Sequence, residues 1–328
     1  MKKPVGRLAP SPTGALHLGN ARTFLLAWLS VRSRGGTLVL RVEDLDHPKV
    51  KPGAAAAALE DLRWLGLDWD EGPDAGGPHG PYVQSLRRAS YRAALDALLA
   101  KGLAYPCTCS RRDVADAQSA PHGRDPHSLA YSGACRGRYA SWDEAAAALP
   151  AGRVPAWRFR TPPGISSFDD VFLGRKELDL AGELGDFAFA RDRDGAGYQL
   201  ACTLDDAAMG VTEVLRGDDL VDATHCQLAI QAALGLPRPV YAHVPLVVAE
   251  DGRRLAKRHG DTRICALREA GLPPERVVGL LAWWSGLAPY GAETRPADLV
   301  RGFDLARVPR APAVLDSRAK AIFATGGA

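Results

Sequence analysis

The sequence predicts an α/β protein with a parallel sheet, interrupted by a cysteine-bearing insertion and followed by a small helical unit. Helix-like and strand-like segments alternate through the first hundred residues, which is typical of parallel α/β domains. The amino-acid composition then changes at Tyr105, and the chain is rich in Arg, Ser, Pro and Gly up to about Gly164. Apolar strand and helix patterns return over 186–220, and an Arg-rich helical remainder follows the loop "DGRRLAKRHG".

The individual elements follow in order along the chain. A turn at the N-terminus leads into a helix near Asn20–Arg34, and "GGTLVLRVEDLD" predicts a turn and a strand over Thr37–Val42. Helices are predicted near Gly53–Leu65 and Leu86–Lys101. Later, "VYAHVPLVV" predicts one strand and "ERVVGLLAWWSGL" an amphipathic helix. The expected domains are 1–104 and 181–248 as two halves of one catalytic domain, 105–180 as the insertion, and 249–328 as the final loop and helical unit.

Composition and charge set the class of protein. The 328 residues, 46% of them hydrophobic, suit one large or two modest domains with a real core. A formal net charge of +3 permits a nucleic-acid partner without requiring one. The N-terminus has no apolar signal-peptide region, and no run of about 18 apolar residues is present. Six unevenly spaced cysteines indicate a reduced protein, so we expect a cytoplasmic location and no membrane contact.

The opening turn, "RLAPSPTGALHLGNART", is a candidate phosphate site. A loop that enters a helix presents unpaired backbone N–H groups and the positive end of the helix dipole. Gly19 permits close approach of a ligand, and His17 and Asn20 add polar side chains at the same place. An ordinary turn with a surface histidine would have the same composition.

A second candidate is the loop "DGRRLAKRHG", which spans Asp251–Gly260. It carries several cations next to glycines, and phosphates need positive charge delivered in this way. A solvated basic loop is the alternative.

Taken together, the two stretches resemble the signatures of class I aminoacyl-tRNA synthetases. "PSPTGALHLGNART" resembles their HIGH motif and "RRLAKRHG" their KMSKS loop. "LRVEDLD", "GYQLACTLDDAAMGVTEVLRGDDL" and "HVPLVVAEDGRRLAKRHG" are similar to blocks of the glutamyl-tRNA synthetase family, in the same order, over roughly residues 5–265. The resemblance implies a Rossmann-like class I synthetase catalytic domain. It also implies ATP with Mg²⁺ as substrate and a glutamyl-adenylate intermediate.

The resemblance also assigns the ATP-facing residues. It implies that His17 and Lys257 are catalytic and stabilise the triphosphate in the transition state. Further ATP-binding candidates are Gly19, Asn20, Arg254 and Arg258. The chain departs from the family pattern in three places: Asn20 replaces the second histidine of the first motif, Arg254 the first lysine of the loop, and Ala256 its serine. Lys257 is therefore the safer catalytic assignment.

Recognition of glutamate requires a cation for its side-chain carboxylate and a carboxylate for its ammonium group. By the resemblance, Arg7 and Arg216 are the arginine candidates, and Glu43, at the end of a predicted strand, is the ammonium partner. Ser11 and Tyr198 would complete the pocket. A purely structural ion pair between Arg216 and Glu43 is the alternative reading of those two residues.

The insertion holds a candidate zinc site. Its cysteines are Cys107, Cys109 and Cys135. Structural zinc takes four ligands, so the residues alone leave the fourth open, with His122 and His127 lying between the cysteines. The spacing Cys-x-Cys … Tyr-x-x-x-Cys is similar to that of the glutamyl-queuosine tRNA(Asp) synthetases, a truncated branch of the family, and implies Tyr131 as the fourth ligand. Three free thiols are the alternative.

The same branch implies the acceptor of the glutamyl group. After the basic loop only about 70 residues remain, enough for a small helical stem-contact unit but short for an anticodon-binding domain. The resemblance implies a monomer that glutamylates queuosine at the wobble position of tRNA(Asp), bound through its anticodon stem-loop. Three alternatives stay open: a compact glutamyl-tRNA synthetase that charges the tRNA 3′ end, a small-molecule nucleotidyltransferase, and a non-catalytic, zinc-bearing RNA-binding relic.

Overall fold

The secondary structure was obtained from a computed structural model, which describes residues 2–45, 50–110, 112–114, 130–253, 255 and 261–324. The strands are β1 (Val5–Leu8), β2 (Thr37–Leu40), β3 (Ala104–Cys107), β4 (Ala156–Phe159), β5 (Ile165–Asp170), β6 (Gly174–Asp179), β7 (Ala188–Ala190), β8 (Glu213–Gly217), β9 (Val240–Val244), β10 (Val247–Ala249) and β11 (Ala313–Leu315). The helices are α1 (Leu18–Arg32), α2 (Ala54–Trp64), α3 (Arg88–Ala100), α4 (Trp142–Ala147), α5 (Leu180–Glu183), α6 (Tyr198–Ala208), α7 (Val221–Leu234), α8 (Ile264–Glu269), α9 (Pro274–Trp284), α10 (Pro296–Leu299) and α11 (Ser317–Ala324). Short 3₁₀ turns lie at Gln84–Arg87, Asp218–Leu220, Val300–Gly302 and Leu305–Arg307.

Parallel strands form the centre of the fold, as the alternating pattern predicts. β1 pairs in parallel with β2, and β8 with β9. β9 also pairs in parallel with β5, which continues into the antiparallel β6. The amide of Thr212 donates to the carbonyl of Val5, so β1 begins beside the start of β8. The carboxyl ends of β1, β2 and β8 therefore open on the same side, where ligands bind in α/β folds.

Helix α1 packs its apolar residues into the main core. Leu25, Leu26 and Leu29 are fully buried, as are Leu8 of β1 and Leu40 of β2 in the same cluster. Burial of each leucine stabilises the fold by about 1.5–3 kcal/mol. This packing fixes the N-terminus of α1 at the carboxyl end of β1.

The segment between the two halves carries its own antiparallel sheet, in the order β3, β4, β7. A second core cluster joins this sheet to α3, α6 and α7 through residues such as Leu98, Phe159, Leu200 and Ile230. Because β3 ends at Cys107, this sheet holds the first cysteine of the insertion at a fixed place.

The predicted elements differ from the structure in a few places. The single strand predicted for "VYAHVPLVV" was wrong: β9 and β10 are separated at Pro245, which has no N–H to donate to a ladder. The remainder of the chain, expected to be helical, also contains β11, which pairs in parallel with β10. The amphipathic helix α9 is present. Within the described ranges, no helix has the length and apolar character needed to cross a membrane.

Candidate active site and cysteine cluster

The opening turn places His17 at the N-cap of α1. Its Nδ1 accepts a hydrogen bond from the amide of Gly19 at 3.1 Å. Burial lowers the pKa of His17, which favours the neutral imidazole. A Cβ at position 19 would lie 2.9 Å from Cε1 of His17, so glycine lets the helix start this close to the ring. Ser11 and Asn20 are exposed around the same turn.

Two backbone hydrogen bonds join this turn to the segment that follows the basic loop. The amide of Leu18 donates to the carbonyl of Thr262 at 3.0 Å, and the amide of Ile264 donates to the carbonyl of Leu16 at 2.8 Å. The chain therefore leaves the basic loop directly beside His17. The loop residues Arg254, Ala256, Lys257 and Arg258 themselves lie outside the described residues.

The five residues expected to bind glutamate come from four separate parts of the fold. Ser11, Glu43 and Tyr198 line one cavity of about 1270 Å³. Nη1 of Arg216 lies 3.4 Å from the hydroxyl of Tyr198. Nη1 of Arg7 donates at 3.2 Å to the carbonyl of the residue before Arg216. The structure thus brings two buried guanidinium groups and one carboxylate together at the ends of β1, β2 and β8.

Arg41, which the sequence analysis did not single out, holds Glu43 in place. It is fully buried, and its Nη2 lies 2.9 Å from Oε1 of Glu43. Its Nη1 lies 2.7 Å from Oδ1 of Asp206, which in turn lies 3.7 Å from Nε of Arg7. In the described part of the chain the ion pair of Glu43 is thus with Arg41 and not with Arg216. Arg41 and Glu43 are two residues apart in an extended segment, a spacing that puts side chains on the same face and could have revealed the pair.

A second buried carboxylate, Asp205, anchors α6, the helix that also carries Tyr198 and Asp206. Its oxygens accept hydrogen bonds from Nε of Arg87 at 2.6 Å, from the hydroxyl of Tyr91 at 2.8 Å and from Nε2 of the Gln84 side chain at 2.9 Å. These donors come from α3 and the 3₁₀ turn before it. Asp205 therefore fixes α6, and with it Tyr198, against the first half of the domain.

The insertion residues form a compact cluster. The sulfur atoms of Cys107, Cys109 and Cys135 all lie within 4.8 Å of one another. The hydroxyl of Tyr131 lies 3.4 Å from Sγ of Cys107 and 3.7 Å from Sγ of Cys109. Cys109 and Cys135 are 3.6 Å apart, close to the separation of about 3.8 Å that two thiolates have on a tetrahedral zinc ion. His122 and His127, the other fourth-ligand candidates, lie outside the described residues.

The charges around the cluster also suit a metal with thiolate ligands. Nε of Arg158 lies 3.1 Å from Sγ of Cys107, and its guanidinium stacks 3.5 Å from the centre of the Tyr131 ring. Burial would raise the pKa of Cys135, but hydrogen bonds from the Tyr131 hydroxyl and from backbone bring it to about 7. Burial raises the pKa of Cys109 to about 12. Three thiolates carry more negative charge than one divalent cation, and Arg158 offsets part of the excess.

Comparison with known proteins places this geometry in a family. The family model described as tRNA synthetases class I (E and Q), catalytic domain, matches residues 4–293. The chain belongs to this family of class I tRNA synthetases. It is 49% identical to the glutamyl-Q tRNA(Asp) synthetase of Symbiobacterium thermophilum, over 98% of this chain and 99% of that protein. It is 46% identical to the protein of the same name from Nitratidesulfovibrio vulgaris, over 94% of each.

A solved structure agrees. The glutamate-tRNA synthetase of Elizabethkingia anophelis superposes with a TM-score of 0.80 at 27% identity, covering 98% of this chain and 70% of that one. The α/β fold of a class I catalytic domain is thereby confirmed, and the chain is a ligase-type enzyme of the synthetase family. In this synthetase the cavity that contains Glu43 and Tyr198 also reaches Cys109 and Arg158, so the pocket and the cysteine cluster share one space.

Proposed function

We propose that this synthetase activates L-glutamate with ATP and transfers the glutamyl group to queuosine at the wobble position of tRNA(Asp). One observation carries the proposal: relatives aligned over nearly their whole length, at 49% and 46% identity, are named glutamyl-Q tRNA(Asp) synthetases. The pocket with two guanidinium groups and one carboxylate supports glutamate as the amino acid.

Glutamate binds through complementary charges. Arg7 and Arg216 bind its side-chain carboxylate, and Glu43 accepts hydrogen bonds from its ammonium group. Ser11 and Tyr198 complete the pocket. The ion pair with Arg41 holds the Glu43 carboxylate in one orientation, and the 11% exposure of the Glu43 side chain leaves it accessible from the cavity.

Activation is an in-line displacement at phosphorus. A carboxylate oxygen of glutamate attacks the α-phosphorus of ATP, the bond to the bridging oxygen of pyrophosphate breaks, and glutamyl-adenylate forms. The protein contributes mainly positioning and charge stabilisation to such a step. His17 and Lys257 stabilise the triphosphate, with further contacts from Gly19, Asn20, Arg254 and Arg258. Mg²⁺ that enters with ATP neutralises phosphate charge.

Transfer uses a hydroxyl of the cyclopentenediol ring of queuosine. Its oxygen attacks the acyl carbon of the adenylate, the acyl carbon–oxygen bond to AMP breaks, and the hydroxyl proton leaves. The product is an ester on the base, while the 3′ end of the tRNA stays uncharged. The cavity of about 1270 Å³ that contains Glu43 and Tyr198 also reaches Val154 and Ala188, so it is not confined to the amino-acid pocket.

The remaining assignments concern the scaffold. Cys107, Cys109, Tyr131 and Cys135 hold one structural zinc ion, which cross-links the start and end of the loop between them. Residues 1–104 and 181–248 form the Rossmann-like domain, 105–180 the zinc-bearing insertion, and 249–328 the basic loop and the helical unit that contacts the tRNA stem. The enzyme acts as a monomer in the cytoplasm.

The test is transfer of labelled glutamate, with ATP, to tRNA(Asp) that contains queuosine and to the same tRNA without it. We expect label only on the queuosine tRNA, and retention of that label after removal of the 3′-terminal adenosine. Label on the unmodified tRNA that is lost with this adenosine would show a compact 3′-charging synthetase instead. Absence of glutamate-dependent ATP–pyrophosphate exchange would point to a non-catalytic relic.

A further inference from the structure

A fully buried polar cluster surrounds the guanidinium of Arg216. His243 on β9 is the register partner of Arg216 on β8, and its Nε2 lies 3.1 Å from Nε of the arginine. On the other side of the imidazole, Nδ1 lies 2.6 Å from Oδ2 of Asp170, the last residue of β5. Both His243 and Asp170 have side chains that are 0% exposed. Three adjacent strands thus supply a chain of contacts from a carboxylate, through an imidazole, to a guanidinium.

The partners of His243 decide which ring nitrogen carries the proton. An ionised carboxylate only accepts hydrogen bonds, so Nδ1 must donate to Asp170. An arginine Nε only donates, so Nε2 of His243 must be the unprotonated acceptor. Both contacts therefore select the neutral imidazole with its proton on Nδ1.

Asp170 is itself held firmly in one orientation. Its Oδ1 accepts from the backbone amides of Phe172 at 2.9 Å and Leu173 at 2.8 Å. The amide of His243 lies 3.1 Å from Oδ2 and 3.2 Å from Oδ1. Oδ2 is thereby aimed at the imidazole. The backbone thus fixes the orientation of the Asp170–His243–Arg216 chain of contacts, called the relay below.

The remaining donors of Arg216 contact helix α7 on one side and Tyr198 of α6 on the other. Nη2 donates to Oγ1 of Thr224 at 2.7 Å and to Oε1 of Gln227 at 3.0 Å. Nη1 is directed to the hydroxyl of Tyr198, which lines the cavity. With Nε and Nη2 engaged by buried acceptors, the guanidinium plane is fixed and Nη1 points toward Tyr198 at the edge of the cavity.

We infer that His243, set as the Nδ1–H tautomer by Asp170, is a positioning residue that fixes the guanidinium of Arg216 for the side-chain carboxylate of glutamate. The inference rests on the proposed function, since it needs Arg216 to bind glutamate. If Nε2 of His243 is protonated, or if the imidazole is removed by substitution, Nε of Arg216 has no acceptor there. The guanidinium plane of Arg216 is then free to rotate. Such preorganisation by buried partners is what holds a binding group within its productive geometry.

The environment keeps His243 neutral. Burial lowers its pKa, and the neighbouring positive charges of Arg216 and Arg7 act in the same direction. The hydrogen bond to Asp170 works against this trend. Besides Asp170, the carboxyl group of Asp218 also interacts with the charge of His243. The lowered pKa agrees with the tautomer that the contacts select.

Two substitutions break the relay at different places. His243→Phe keeps an aromatic ring and removes both nitrogens. Asp170→Asn is nearly isosteric, and because backbone amides keep its oxygen at the Oδ1 position, its NH₂ group faces Nδ1 of His243. The proton then moves to Nε2, where it opposes the N–H of Arg216. His243→Gln is the rescue variant, because its amide oxygen can accept from Nε of Arg216.

His225→Phe is the matched control for loss of a buried imidazole. His225 is 1% exposed, and its Nδ1 lies 2.8 Å from Oγ of Ser166, but it has no role in the proposed pocket. All variants would be assayed by glutamate-dependent ATP–pyrophosphate exchange, with KM measured separately for glutamate and for ATP. Nitrogen-15 NMR of the histidines would report which ring nitrogen of His243 is protonated in the wild-type enzyme.

We expect His243→Phe and Asp170→Asn each to raise KM for glutamate about tenfold to a hundredfold, because an effect of this size corresponds to the loss of one hydrogen bond to a charged group. KM for ATP should not change, His243→Gln should restore most of the loss, and His225→Phe should resemble wild type. An equal rise in both KM values, or the same effect in His225→Phe, would overturn the inference in favour of general structural damage. An unchanged KM for glutamate, or a proton found on Nε2, would also overturn it. If the wild type shows no glutamate-dependent exchange, the proposed function and this inference fail together.

Discussion

Asp61 offers a test of how burial of one charge affects the whole fold. It lies on α2 with a side chain that is 1% exposed, facing α8. Neither of its carboxylate oxygens accepts a hydrogen bond within the described structure, and its cationic neighbour, Nη1 of Arg268, is 3.6 Å away. Burial raises the pKa of Asp61 to about 6, and the charge of Arg268 offsets this only in part.

The magnitude follows from the two protonation states. An aspartate in the unfolded chain has a pKa of about 4, so the difference from about 6 corresponds to at most about 3 kcal/mol. Solvent screening between the two helices reduces this, and we expect an effect of roughly 1–2 kcal/mol. Below pH 4 the carboxyl is protonated in both states and costs nothing. As the pH rises from 4 through 6, the unfolded state loses its proton first, so the folded state loses stability relative to it.

Asp61→Asn should therefore stabilise the protein by roughly 1–2 kcal/mol at pH 8, and the gain should shrink as the pH falls from 6 toward 4. Urea unfolding followed by tryptophan fluorescence at several pH values measures this. Glu60→Gln is the control: Glu60 is the neighbouring carboxylate on the same arginine, with a side chain 67% exposed, and its neutralisation should change little. A gain that is equal at all pH values, or no gain at pH 8, would refute the reasoning.

Three further predictions concern the site and its supports. Glu43→Gln should raise KM for glutamate about tenfold to a hundredfold in ATP–pyrophosphate exchange while KM for ATP is retained, and an equal change in both would remove Glu43 from the pocket. Asp205→Asn should lower the free energy of unfolding in urea by about 3 kcal/mol, because it breaks a buried ion pair; a change no larger than that of the exposed Asp68→Asn would contradict this. Cys135→Ser should lose zinc in metal analysis of the purified protein, whereas Cys226→Ser should retain it, and equal zinc in both would exclude the cysteine cluster as the metal site.

The local motifs predicted much of the fold and of the site because their meaning is local. The turn before α1 and the acidic end of β2 put Ser11, His17 and Glu43 where the chain itself bends or ends. In the cysteine cluster only each half is local: Cys107 with Cys109, and Tyr131 with Cys135. The fold brings the two halves together across 24 residues, from Cys107 to Tyr131. Their assigned roles stay predictions, since the geometry locates these side chains without testing what they bind.

What the sequence could not reveal depends on partners that are distant along the chain. Arg41 meets Asp206 of helix α6, which is 165 residues away along the chain. His243 meets Asp170 and Arg216 because β5, β9 and β8 lie side by side in that order. No spacing rule predicts that order from one sequence. The break at Pro245 was missed for a different reason, since the apolar residues on both sides of it continue the strand pattern.

The two hydrogen bonds between the opening turn and the segment after the basic loop have a consequence for how this enzyme is dissected. They join backbone atoms of Leu16, Leu18, Thr262 and Ile264, so none of these four side chains takes part in them. An alanine scan reports the apolar packing of Leu18 and Ile264 and leaves both amides intact. Replacement of either peptide amide by an ester, which removes the donor and keeps the side chain, would weaken the link between the opening turn and the segment after the basic loop while the side chains stay the same.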